Sequence, residues 1–117
     1  MKFLMLMWSE HDASGGEAGD IAAWAEFDQA ARDAGVRVDG AALQPAKTAA
    51  AVVTPDIAGG RGADAIAAGP FASGGAQIEA YYLLDCRDVA DAHDWARRLP
   101  TYGRVEVRPL LEYDLGD

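Results

Sequence analysis

Gln77-Ile78-Glu79-Ala80-Tyr81-Tyr82-Leu83-Leu84 is the segment on which the architecture turns. Ile78, Ala80, Tyr82 and Leu84 share one side of an extended chain. Gln77, Glu79, Tyr81 and Leu83 share the other, and from Tyr81 onward both sides are apolar. A strand that is apolar on both sides belongs in the interior of a sheet, covered above and below. The N-terminal run Phe3-Leu4-Met5-Leu6-Met7-Trp8 has the same character. These two segments are therefore the expected central strands, the third core strand running over about residues 76–84.

Working outward, the pattern changes period. Ile21, Trp24, Phe27, Ala31 and Ala34 recur at spacings of three and four, the stripe of an amphipathic helix. Asp20 can cap its start, with Ser14-Gly15-Gly16-Glu17 as an earlier capping box. Gly35 stands where a helix end favours positive φ. A second strand is expected from Val36 to Leu43, with Val36 and Val38 on the dry side and Arg37 and Asp39 on the wet side; Pro45 ends it. Two short apolar pieces, Ala49–Thr54 and Ala63–Ala68, flank a Gly-rich turn and predict an inserted hairpin. Gly69-Pro70 closes it. A second helix starts at the N-cap Asp88, carries the stripe Val89, Ala92, Trp95, Ala96 and Leu99, and stops at Pro100. The last strand is expected from Arg104 to Leu111.

The order β-α-β, hairpin, β-α-β predicts an α+β fold of ferredoxin-like βαββαβ plan with an inserted hairpin. In that plan the first and third core strands are central, and both helices lie on one side. The other side then leaves Met, Leu and Tyr side chains open to water, a patch monomers rarely carry. A homodimer pairing sheet to sheet is the expected cover.

Composition narrows the function classes. The 117 residues suit one domain, 1–117, and half of them are apolar, enough to build a core without covalent staples. Nineteen acidic against ten basic residues give a net charge of −9, which argues against nucleic acid and anionic membrane surfaces as partners. One cysteine, Cys86, excludes an internal disulfide and a cysteine-built metal centre. The N-terminal apolar run is too short for a leader or a membrane span. A cytoplasmic protein is expected.

Four stretches carry a family resemblance: Gly40-Ala41-Ala42-Leu43-Gln44-Pro45, Ala68-Gly69-Pro70-Phe71-Ala72, the strand Gln77–Leu84, and Asp91-Ala92-His93-Asp94-Trp95-Ala96. In that order they resemble the YCII-related proteins, and more narrowly the subgroup with an Asp-Gly-Pro-Phe motif. The resemblance implies a dimeric α+β barrel of ferredoxin-like protomers. It implies less about activity, since most of the family has none assigned. A few relatives look like small acid/base enzymes of aromatic degradation that use a His-Asp pair, and some members sit beside sigma factors. This chain departs from the motif at its titratable positions. Ala68 stands at the motif aspartate, Ser73, Gly74, Gly75 and Ala76 follow, and the first helix has no histidine. Gly69, Pro70, Phe71, Gln77, Tyr81 and Tyr82 remain.

Each candidate residue has a plain structural reading beside its functional one. His93 can serve as a general base, but neighbouring helix residues such as Asp94 do not face it, so a core or surface histidine is the simpler reading. His11, beside Asp12 in a polar loop, is more simply a solvated side chain. Tyr81 and Tyr82 point to opposite faces; a hydroxyl can orient a ligand, although core packing explains both rings. Glu79, with Gln77 and Tyr81, becomes a candidate acid or base if its face lines a cavity. Phe71 is expected to anchor the hairpin onto the core. Arg87 and a helix N-terminus would activate the Cys86 thiol, yet no histidine accompanies it, and a structural thiol is expected. Gly59, Gly60 and Gly62 match no phosphate-loop spacing, and no metal or organic cofactor is expected from the scattered His and carboxylates.

The expected function is thus a small-molecule-binding or accessory, regulatory protein with a degenerate catalytic motif. Ligand contacts would come from Tyr81, Tyr82, Gln77 and Phe71. The alternatives are a cofactor-free lyase or hydrolase acting by acid/base chemistry on a small, aromatic substrate, and, by analogy of fold alone, a cofactor-free oxygenase.

Overall fold

The computed structural model describes residues 1–10, 18–54, 65–72 and 75–112. The elements are β1 (Lys2–Ser9), α1 (Ala18–Asp33), β2 (Arg37–Ala42), a 3-10 turn (Ala46–Thr48), β3 (Val52–Thr54), β4 (Ala65–Ala67), β5 (Gln77–Asp85), α2 (Val89–Arg97) and β6 (Arg104–Pro109). One antiparallel sheet has the order β2-β5-β1-β6, and β3 and β4 form a separate two-stranded hairpin. The two strands that are apolar on both faces, β1 and β5, occupy the centre. This is the strand order a ferredoxin-like βαββαβ plan requires.

Alternation dictates the core. Phe3, Met5 and Met7 of β1 join Ala80, Tyr82 and Leu84 of β5 in one buried cluster with Phe27 and Ala31 of α1 and Ala92 and Trp95 of α2. Both helices therefore cover the same face of the sheet. Sealing side chains of this size contributes about 1.5–3 kcal/mol each. The intervening residues Leu4, Leu6, Trp8, Tyr81 and Leu83 lie on the outer face and are only half-buried. The radius of gyration is 16.9 Å, against roughly 13 Å for a compact chain of about this length. The molecule is a broad, thin layer, 20 Å through its shortest axis.

The helices follow their stripes only in part. Ile21 at the start of α1 and Val89 at the start of α2 are exposed and take no part in the core cluster. Helix α1 begins at Ala18, so Asp20 lies inside its first turn and accepts a hydrogen bond from the Tyr102 hydroxyl at 2.5 Å instead of capping the helix. The capping box at 14–17 falls outside the described residues. Gly35 ends the helix at φ 74°, as expected. Asp88 caps α2 by accepting from the Asp91 amide at 2.8 Å, and Asp91 in turn accepts from the Arg87 amide at 3.0 Å.

Strand β2 reverses one expectation. Arg37 turns toward α1, while Val38 is exposed. A register irregularity between Arg37 and Asp39 accounts for it. The guanidinium meets Asp28 at 2.6 Å, and Asp28 also accepts from Arg32 at 2.5 Å and from the Tyr82 hydroxyl at 2.8 Å. One carboxylate thus ties α1, β2 and β5 together. The arrangement holds Asp28 well below the usual carboxylate range, first through Arg32 and then through Arg37, while burial opposes the shift. Burial, reinforced by Asp28, pushes the Tyr82 hydroxyl up to about 12. Gly40 is required here by close approach: a Cβ on it would stand 2.5 Å from the Tyr82 ring.

Phe71 does not anchor the hairpin. It is 89% exposed. The described part of the turn that carries it, 68–72, contains no buried residue. Among the described residues no helix is long and apolar enough to cross a membrane.

Candidate functional site

Where β1 leaves the sheet, β5 enters it with a bulge. Met7 pairs with Ala80 and Trp8 with Ile78, so Glu79 has no partner opposite it on β1. An extra residue of this kind re-aims side chains, and bulges concentrate beside functional sites. Strict alternation would put Glu79 with Tyr81 on the outer face. Instead its carboxylate accepts a 2.5 Å hydrogen bond from Thr101 Oγ1, in the segment between α2 and β6. Its carbonyl accepts from the Leu43 amide just beyond β2 at 2.8 Å. Side chain and backbone of one bulged residue thereby join three chain segments.

A cleft opens at this end of the sheet. One lobe, of about 220 Å³, is lined by Ser9, Glu10, Gln44, Lys47, Gln77 and Glu79 among others. A second, of about 430 Å³, is lined by Trp8, Leu43, Pro45, Pro70, Phe71 and Ile78 among others. The lobes share the wall Leu43, Gln44, Pro45, Ala46, Gln77 and Ile78. The first lobe is the polar one; the second is walled by aromatic and aliphatic side chains. Gln77 Nε2 donates to the Ala72 carbonyl at 2.6 Å, fastening the Phe71 turn to the start of β5. The Trp8 indole donates to Glu106 at 3.1 Å, which fixes the ring at the mouth.

The sequence candidates separate. Gln77, Glu79 and Phe71 come together at the cleft. Tyr82 is buried among Trp24, Phe27 and Asp28 and serves the core. Tyr81 is on the outer face, where its hydroxyl donates to Asp39 at 3.0 Å; that bond raises the Tyr81 pKa, and the Gly40 amide followed by Tyr81 lowers that of Asp39. Neither tyrosine lines the cleft. His93 is exposed on α2, off the apolar stripe and away from the cleft lining. His11 lies outside the described residues. Cys86 is buried, and desolvation, then Asp91, pushes its thiol up to about 11, so the nearby Arg87 and helix end do not activate it. Among the described residues no group of three or more His, Cys, Asp or Glu is placed to hold a metal ion.

Sequence reasoning missed Glu10, Lys47 and Thr101. None of them sits in a periodic pattern. Gln44 and Pro45 carried a signal, since they belong to one of the stretches behind the family resemblance. That resemblance is now supported across the whole fold: residues 1–114 match the YCII-related domain.

The chain belongs to the YCII-related domain family.

An uncharacterised protein of Rhizobium meliloti (strain 1021) is 43% identical to this YCII-related chain over 53 residues, which take in 42% of the chain and 43% of the relative. The match therefore spans less than half the length of that curated relative. Parts of three of the four stretches that carry the resemblance, Leu43-Gln44-Pro45, Pro70-Phe71-Ala72 and Gln77-Ile78, line the cleft, while the fourth, on α2, does not.

Proposed function

We propose that this YCII-related chain is a small-molecule-binding protein that acts as an accessory or regulatory module, with its site in the cleft between the bulge at Glu79 and the Phe71 turn. We read it as a divergent member of the Asp-Gly-Pro-Phe subgroup, working as a cytoplasmic homodimer. One observation carries the binding reading. Three family stretches distant in sequence converge on a cavity, and one of them, the Phe71 turn, contributes no buried side chain to the core. The combined lobes reach the size of ordinary ligand pockets, roughly 300–1,000 Å³. Titrating small aromatic compounds into isotope-labelled protein tests this. The Trp8 indole and the amides of Phe71 and Gln77 should shift together and saturate. Saturable shifts confined to α2 or the outer sheet face, or none at all, overturn it.

A second reading, an acid/base lyase or hydrolase, draws on a separate observation. Glu79 is a carboxylate in a cavity wall, oriented by the Thr101 hydroxyl, as a general base would need to be.

The homodimer reading rests on the outer sheet face. Leu4, Leu6 and Leu83 make its apolar centre, Arg104, Glu106 and Arg108 its β6 edge, with a net positive charge, and Asp39 its β2 edge. A two-fold axis along the strands sets each acidic edge against the partner's basic edge and buries the apolar stripe on itself. Such an interface buries over about 2,000 Å². Sedimentation should give a dimer at micromolar concentration and an unfolding midpoint that rises with protein concentration. A well-folded monomer that binds no hydrophobic dye would refute it.

A further inference from the structure

We propose that the ligand of this cleft is an amphiphilic cation: an ammonium or amidinium group carried on a flat apolar ring. The inference rests on the binding reading above and names the class of ligand.

The two lobes have different chemistry. In the smaller one the ionisable residues of the described lining are Glu10, Glu79 and Lys47, two carboxylates to one ammonium. Lys47 is already engaged in an interaction of its own. Among the described residues Glu79 is held by a neutral hydroxyl donor, Thr101, rather than by a basic side chain. Gln77 donates one amide N–H to Ala72, which leaves its carbonyl oxygen and its second N–H to offer. The lobe is thus rich in acceptors and carries surplus negative charge, the character that selects a cationic or donor-bearing head group.

The larger lobe contains no ionisable side chain among its described lining and is walled by Trp8, Phe71, Pro45, Pro70, Leu43 and Ile78. The Phe71 ring stands 89% exposed on that wall. A flat ring laid between Trp8 and Phe71 would remove both from water, and aromatic faces also attract a neighbouring cation. The shared wall at Gln77 and Ile78 makes the lobes continuous, so one molecule can place its ring in one and its head in the other. The net charge of −9 works in the same direction at longer range by concentrating cations around the protein.

The experiment uses the full chain and three probes with one ring system: 1-naphthylmethylamine, 1-naphthylmethanol and 1-naphthoate, cationic, neutral and anionic at neutral pH. Affinities come from calorimetry and the site from the Trp8 indole signal. The amine should bind at least about tenfold more tightly than the carboxylate, a difference near 1.4 kcal/mol. Added salt should shrink that margin. Glu79→Gln should reduce it to a few-fold, lowering the amine's affinity more than the alcohol's. Glu10→Gln, which leaves the bulge untouched, should reduce it too and guards against a folding defect in the first variant. Phe71→Ala should weaken all three probes alike. Binding at Trp8 with equal affinities, or with the carboxylate preferred, overturns the cationic class and leaves the cleft reading standing. Failure of all three probes to move the Trp8 signal overturns both.

Discussion

The helix-covered centre of the sheet and its open end are built from the same strands under opposite conditions. At the centre, Phe3, Met5, Met7 and Leu84 are sealed, and the ionic cluster around Asp28 has each charge met by a partner. At the open end, β5 breaks register at Glu79, Phe71 stands in water, and the described lining holds two carboxylates and one ammonium. The difference teaches that the sealed centre and the proposed binding cleft are separable in this protein. The first should resist mutation at the cleft, and the second should survive moderate damage to the core.

The largest expected effect is in the core. Met5→Ala deletes a side chain with no exposure and should cost about 2–5 kcal/mol in denaturant unfolding. If the cost falls below about 1 kcal/mol, the centre is not the close-packed region its burial describes.

Next comes the charge cluster. Asp28→Asn should cost about 1.5–3 kcal/mol at neutral pH, the usual worth of hydrogen bonds to a charged group. Asp28 titrates below its unfolded value, so its contribution is complete above the ordinary carboxylate pKa of about 3.9 and is lost as pH falls from there toward the native value. The stability gap between wild type and Asp28→Asn should therefore narrow on acidification below about pH 4. A gap that is constant from neutral pH to below about pH 3 would show that the carboxylate does not act through its charge.

Gly40→Ala should follow, at about 1–3 kcal/mol, because the new methyl meets the Tyr82 ring. In a Tyr82→Ala background the same substitution should cost almost nothing; an unchanged cost would place the strain in the backbone.

The smallest effect sharpens the contrast most. Phe71→Ala should move stability by no more than about 0.5 kcal/mol, as for an ordinary surface position. If it costs as much as Met5→Ala, the turn is buried in the assembled protein, and the two regions are not separable.

Much of the frame was legible in the residues. The helical stripes around Trp24 and Trp95 and the double-sided apolar runs at Phe3–Trp8 and Tyr81–Leu84 are local signals, and local periodicity reports burial directly. The opposition of Tyr81 and Tyr82 followed from the same period of two. The candidate site was legible only in fragments. Gln77, Glu79 and Phe71 were singled out for separate reasons, and Glu10, Lys47 and Thr101 not at all, because what unites them is their position at one end of a folded sheet. Arg37 was misassigned to the wet side for a related reason. A register step in β2 and an acceptor on α1 outweighed the alternation of its own strand.

By itself, then, the sequence determined the element order, the two central strands and the stripes by which both helices bury one face, since each depends on residues close together along the chain. Only the tertiary structure decided that Tyr82 would serve the core and Glu79 the cleft. Pairing between distant strands sets the register, and one unpaired residue in β5 suffices to turn a carboxylate from the outer face of the sheet toward Thr101.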